Sequence, residues 1–154
     1  APRPPSAIPT STPQPAPSVL LALVPVPGAD AQVAQVVDLV NTERATAGCQ
    51  PLTADPRLVL AAQKHSDDMA AHGYFAHDSQ DGRTPWDRIA AERYPTGSAE
   101  NIAKGQPDAQ TVMAAWLGSG GHDTIDDCGS TAIGVGLAQD ASGARVWTQD
   151  FGAA

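Results

Sequence analysis

The hydrophobic period of this chain changes along its length. Apolar residues recur at three- and four-residue spacing through Val33, Val36, Val37 and Val40, and again through Leu58, Ala62, His65 and Met69. Beyond Ile133 the spacing falls to two, first through Val135 and Leu137, then in a second run around Val146 to Phe151. The first spacing lines one face of a helix and the second one face of a strand. A chain with both periods in separate blocks is confined to an α+β architecture, with helices packed on an antiparallel sheet.

Helix ends can be read from local chemistry. The first helix is expected to start at Asp30 as N-cap and to stop at Gly48, which tolerates left-handed backbone. Asp55 followed by Pro56 opens a second helix that Gly73 closes. Thr84-Pro85 repeats that signature and opens a short helix through Trp86, Ile89 and Ala90. A fourth is predicted from about Pro107 to Leu117, burying Val112, Met113, Trp116 and Leu117. Ile133, Val135 and Leu137 predict a half-buried strand, with a turn at Asp140 to Gly143 and a return strand, a hairpin. Glu100-Asn101-Ile102 predicts a further short strand.

Proline sets the lower limit of the domain. Nine of 14 prolines fall within the first 27 residues, so residues 1–29 read as a Pro-rich disordered tether, a semi-rigid spacer without a core. Residues 30–154 are then the folded domain, long enough for one core. The apolar run Val19 to Val26 is interrupted by Pro25 and is too short to cross a bilayer. A secretory signal already removed fits a chain that starts Ala-Pro. Net charge is −8, and Arg3 is the single charged side chain before Asp30. Such an acidic domain repels phosphate backbones and anionic lipid, which excludes nucleic acid as a partner and leaves neutral or cationic ligands. A monomer is expected.

The two cysteines, Cys49 and Cys128, lack the CxxC or Cys/His spacing of a metal or redox motif. A bridge between them would close a loop of roughly 80 residues, a stabilisation of about 4 kcal/mol in the chain-entropy account. That bridge is expected over two free thiols, and it persists only in an oxidising compartment.

Four histidines are candidates for chemistry. His65 lies on an apolar helical stripe without the HExxH pattern of a metalloprotease, and reads as a core histidine. His72 sits at a helix end, where an imidazolium offsets the dipole. His77 follows Tyr74-Phe75 and precedes the turn DSQDG, a loop position suited to a site. That turn is no calcium loop, because His77 and Arg88 occupy its first and twelfth positions. Ser79 and Ser119 lie near His77 and His122, but neither sits in a GxSxG elbow, and Ser119 reads as part of a helix stop.

The strings HSDDMA, YFAHDSQDG, P-x-DR at Pro85 to Arg88, AENIAKGQ, VMAAWLGSGGH, IGVG and WTQDFG follow one another between about Val36 and Gly152. In that order the chain resembles the bacterial branch of the CAP (SCP-like) family of secreted proteins. The resemblance implies a three-layer α-β-α sandwich with a surface cleft. It also implies that His77, Glu100 and His122 mark that cleft, with Ser119 where animal members carry a second glutamate. The loop DTIDDCG after His122 departs from the family pattern, and Asp123, Asp126 or Asp127 could replace the missing carboxylate. Two imidazoles and a carboxylate suit Zn²⁺ or another divalent metal with an open position for water. The expectation is a secreted, non-catalytic module that binds a lipid, sterol or cell-envelope ligand through this cleft or an adjacent apolar groove. The alternative is a zinc-dependent hydrolase using His77, Glu100 and His122.

Overall fold

The structure, a computed structural model, describes residues 25–154; positions 1–24 of the expected tether lie outside the described residues. Val26 is 7% exposed and belongs to the main apolar cluster. The packed unit therefore takes in residues upstream of Asp30.

Helix α1 spans Ala29–Ala47. Its N-cap is Gly28, in left-handed backbone at φ 68°, and not Asp30, which lies within the first turn. There its carboxylate still favours the positive end of the helix dipole. Gly48, at φ 86°, ends the helix as expected. Helix α2, Pro56–His72, is capped by Asp55, which accepts the Arg57 N–H at 2.8 Å. Helix α3, Pro85–Ala91, begins with a reciprocal capping box between Thr84 and Asp87. Helix α4 spans Ala109–Leu117 behind an Asp108 cap. Two further elements complete the chain, the two-residue strand β1 (Thr53–Ala54) and the one-turn helix α5 (Gly121–Ile125).

Strands β2 (Gly97–Lys104), β3 (Ala132–Gln139) and β4 (Arg145–Gly152) form with β1 one sheet of order β1-β3-β4-β2. The β3–β4 hairpin and the β4–β2 pair are antiparallel, but β1 runs parallel to β3. The long strands β2, β3 and β4 thus form the expected antiparallel sheet, and the two-residue β1 adds one parallel pairing at its edge. The segment between α1 and α2 is held there by backbone bonds from Thr53 to Thr131 and from Asp55 to Ile133.

Both faces of the sheet are covered. Ile133, Val135, Leu137, Trp147 and Phe151 pack with Val36 and Val40 of α1, Val112, Met113 and Trp116 of α4, and Ile125 of α5. Ala132, Ala138 and Val146 meet Leu58, Ala61, Met69 and Ala70 of α2, together with Ile89 and Tyr94. This is the three-layer α-β-α arrangement. Consequently β3 is buried from Ala132 to Ala138 instead of half-buried. Its alternation is between large side chains toward α1 and glycines toward α2. A Cβ on Gly136 would stand 2.6 Å from the Ala62 backbone, so only hydrogen allows this approach.

The Cys49–Cys128 disulfide is formed, with Cα atoms 4.9 Å apart. Beside it, the fully buried Arg44 donates to the carbonyls of Ile125 at 2.9 Å, Asp127 at 2.7 Å and Ser130 at 3.1 Å. The end of α1 and the loop after α5 are therefore joined covalently and by a network of charged hydrogen bonds. Among the described residues, no helix is long and apolar enough to cross a membrane.

Candidate functional site

Successive side chains of β2 point to opposite faces of the sheet, and this divides the site. Glu100 faces the α2 and α3 layer, where its side chain is 1% exposed. Its Oε1 accepts from His77 Nδ1 at 3.0 Å and its Oε2 from Arg88 Nη2 at 2.7 Å. The P-x-DR string explains the second contact. Pro85 opens α3, Asp87 completes the cap, and Arg88 is left pointing inward, where Nη1 also donates to Ser79 Oγ at 3.0 Å. Breaking such a buried pair costs about 3–5 kcal/mol, because the remaining charge is stranded.

Asp150 stands opposite Glu100 in the β2–β4 register and is fully buried. Neither of its oxygens has a hydrogen-bond partner in ordinary geometry among the described residues. Burial, reinforced by the neighbouring Glu100 charge, pushes its pKa well above the usual aspartate range. In its protonated form this carboxyl buries no charge and can donate to Glu100. For Glu100, burial works upward, but the hydrogen bond from His77, the approach of the Asp150 carboxyl and the Arg88 charge hold its pKa below the ordinary value. The bond to Glu100 in turn raises His77 against its partial burial. His77 is thus a half-exposed imidazole (side chain 56% exposed) braced by a buried carboxylate.

His65 is buried, bonds the Ala76 carbonyl at 2.8 Å, and has its pKa lowered by burial and the Arg88 charge. It is the core histidine its helical stripe predicted. The space behind Arg88, lined by His65, Asp68, Ser79 and Arg83 among others, is about 40 Å³. That volume admits a few waters and no larger ligand.

His122 is placed elsewhere. Asn101, the neighbour of Glu100, faces the other layer and contacts Gly121 at the start of α5. From α5, His122 Nε2 lies 2.8 Å from Asp126 Oδ2 and 3.3 Å from Glu43 Oε2 of α1. The structure thus brings His77 and Glu100 together and seats His122 in a separate cluster. Among the described residues, the one group of three metal-capable side chains with ligand atoms within 4.8 Å is Glu43, His122 and Asp126. His77, Glu100 and His122 do not form such a group among the described residues. Ser119 closes α4: its hydroxyl bonds the Trp116 carbonyl at 3.1 Å and accepts from the Gly121 N–H at 3.3 Å.

The sequence reading assigned no role to Arg88, Asp150 or Glu43. Arg88 lies within the P-x-DR string, four residues after the Thr84 N-cap. Asp150 and Glu43 carried no signal, because pairing register and tertiary approach decide both.

A second surface feature is apolar. Between α1 and α2, over the β1–β3 edge, a groove of about 330 Å³ is lined by Val33, Ala34, Val37, Val59, Ile133 and Val135, with Asp30 and Asp38 beside them. Through Ala54 and Val59 it continues to Pro56 and to Leu60, which is 45% exposed.

Comparison with known proteins agrees with this geometry. The profile of the CAP, cysteine-rich secretory protein family matches residues 37–151. The uncharacterized protein YkwD of Bacillus subtilis is 39% identical over 120 residues, covering 76% of this chain and 45% of that protein. The uncharacterized membrane protein YlbC of the same organism is 31% identical over 119 residues, covering 76% and 33%. The matched stretch thus spans less than half the length of either relative. An extracellular SCP-domain protein of Bacillus anthracis superposes with TM-score 0.75 at 26% identity, over 94% of this chain and 45% of the other. An outer surface protein of Borrelia burgdorferi shares the fold, with TM-score 0.72 at 18% identity over 79% and 92%. On its sequence and its three-layer architecture, the chain belongs to the CAP family of cysteine-rich secretory proteins.

Proposed function

We propose that this chain is a secreted binding module that takes a neutral lipid or sterol of the cell envelope in the groove between α1 and α2. The observation that carries this reading is the groove itself, whose apolar walls and volume of about 330 Å³ lie in the range of small-molecule sites. Its acidic neighbours Asp30 and Asp38, in a chain of net charge −8, disfavour anionic head groups. The Cys49–Cys128 bridge supports an oxidising, exported setting.

A hydrolase is the second reading, favoured by the hydrogen bond between His77 and Glu100, which is the relation of a base to its orienting carboxylate. The fate of the neighbouring hydroxyl counts against it. Ser79 is 6% exposed and its Oγ accepts from Arg88, so it is not poised for attack. His77, Glu100 and Arg88 are better read as a braced polar wall.

The test is equilibrium titration of the full chain with a fluorescent sterol and with a neutral diacylglycerol. Saturable binding of at least one probe is expected. Ala34→Trp, at an exposed position on the groove wall, should weaken it at least tenfold without lowering the melting temperature, whereas His77→Ala should leave it intact. No saturable binding of either probe, or equal binding by Ala34→Trp, refutes the reading.

A further inference from the structure

We propose that Glu43, His122 and Asp126 form a divalent-metal site of the zinc class where α1 meets α5. The two carboxylate oxygens converge on the same ring nitrogen, His122 Nε2, at 3.3 and 2.8 Å, and all three ligand atoms lie within 4.8 Å. A single imidazole nitrogen carries one proton and cannot serve two carboxylates well. A cation seated among the three atoms satisfies all of them.

Asp126 supplies a separate indication. Its other oxygen, Oδ1, is closed to solvent and has no hydrogen-bond partner among the described residues. An orphaned carboxylate oxygen is costly to bury, and bidentate coordination by Asp126 would satisfy it.

The surrounding structure fixes the ligands in place. Glu43 precedes Arg44, whose guanidinium bonds the carbonyls of Ile125 and Asp127, the residues on either side of Asp126. The Cys49–Cys128 bridge ties the same two segments. Both carboxylates are therefore held on rigid supports, as a pre-organised site requires. His122, Glu43 and Asp126 side chains are 49%, 26% and 21% exposed, which leaves an entry path and room for water as a further ligand.

One imidazole with two carboxylates suits Zn²⁺ better than calcium or magnesium, which favour all-oxygen sets. Binding would clamp α1 to the loop after α5. This inference is independent of the groove, since it involves none of the groove's lining residues and its test uses no lipid.

The test is calorimetric titration of Zn²⁺ into the metal-stripped, tag-free full chain. One ion per chain is expected, with Ca²⁺ binding at least tenfold more weakly. Glu43→Gln and Asp126→Asn should each weaken zinc binding at least tenfold, and His77→Ala should not. Zinc should raise the melting temperature of the wild type and not that of Glu43→Gln. Should a variant fail to fold, nitrogen-15 NMR of the wild-type imidazoles decides: on zinc addition the His122 Nε2 resonance should shift and that of His77 stay. No uptake, undiminished uptake by both carboxylate variants, or a shift at His77 in place of His122 overturns the proposal.

Discussion

Glu100 and Asp150 face each other across β2 and β4 with both side chains closed to water, yet their protons are held very differently. The raised pKa of Asp150 means that the native state binds its proton more tightly than the unfolded chain does. Stability from this group therefore falls as pH rises above the ordinary aspartate value of 3.8 toward the folded value. Glu100 has the opposite sign: its depressed pKa contributes stability above the ordinary value of 4.5, lost as pH falls through the folded value. Asp150→Asn keeps the shape and supplies an N–H donor toward Glu100 while removing the proton linkage. The variant should match the wild type near pH 3 and exceed it increasingly as pH rises. Melting temperatures of both proteins from pH 3 to 8 would check this, and parallel curves would contradict it. At this scale the sequence was partly legible. His77 and Glu100 stood in recognisable strings and do meet, and His65 was readable as core from its helical stripe. Asp150 stood in the sequence only within the return strand of a hairpin, because register is set by pairing and not by local pattern. His122 also stood in a recognisable string, but its partner Glu43 lies 79 positions away, beyond any local signal.

Among the elements, helices were read best because their ends are written in short-range chemistry. Asp55-Pro56 and Thr84-Pro85 cap α2 and α3 as their residue types dictate, and Gly48 and Gly73 stop their helices in left-handed backbone. The five-residue α5 and two-residue β1 contain too few periods to register. For β3 the alternation was seen and its meaning mistaken. It was read as half burial, whereas Gly134 and Gly136 let α2 settle onto the strand. A methyl group at Gly136 has backbone in its way and cannot be relieved by a side-chain rotation. Gly136→Ala should destabilise the domain by about 3 kcal/mol, measured by urea unfolding. A change under about 0.5 kcal/mol would show that α2 does not press on the strand.

At the level of the whole molecule, α1 is fastened at both ends of its buried face. Val36 and Val40 enter the main core, and Arg44 and the Cys49–Cys128 bridge anchor its last turn to the loop carrying Asp126. Reduction should lower unfolding free energy by about 4 kcal/mol for a loop of this length. Comparing denaturant unfolding of oxidised and reduced, alkylated protein checks it, and coincident curves would contradict it. With α1 fixed on one side and α2 seated on the β3 glycines on the other, the groove between them has walls that do not collapse. This is why the binding reading rests there and not in the 40 Å³ space behind Arg88. The most direct measurement is photolabelling of the full chain with a diazirine sterol, followed by peptide mapping with unlabelled sterol as competitor. Competable label should fall within Ala29–Asp38 and Ala54–Leu60. Label concentrated around His77 and Glu100, or label that excess sterol does not displace, would contradict the account.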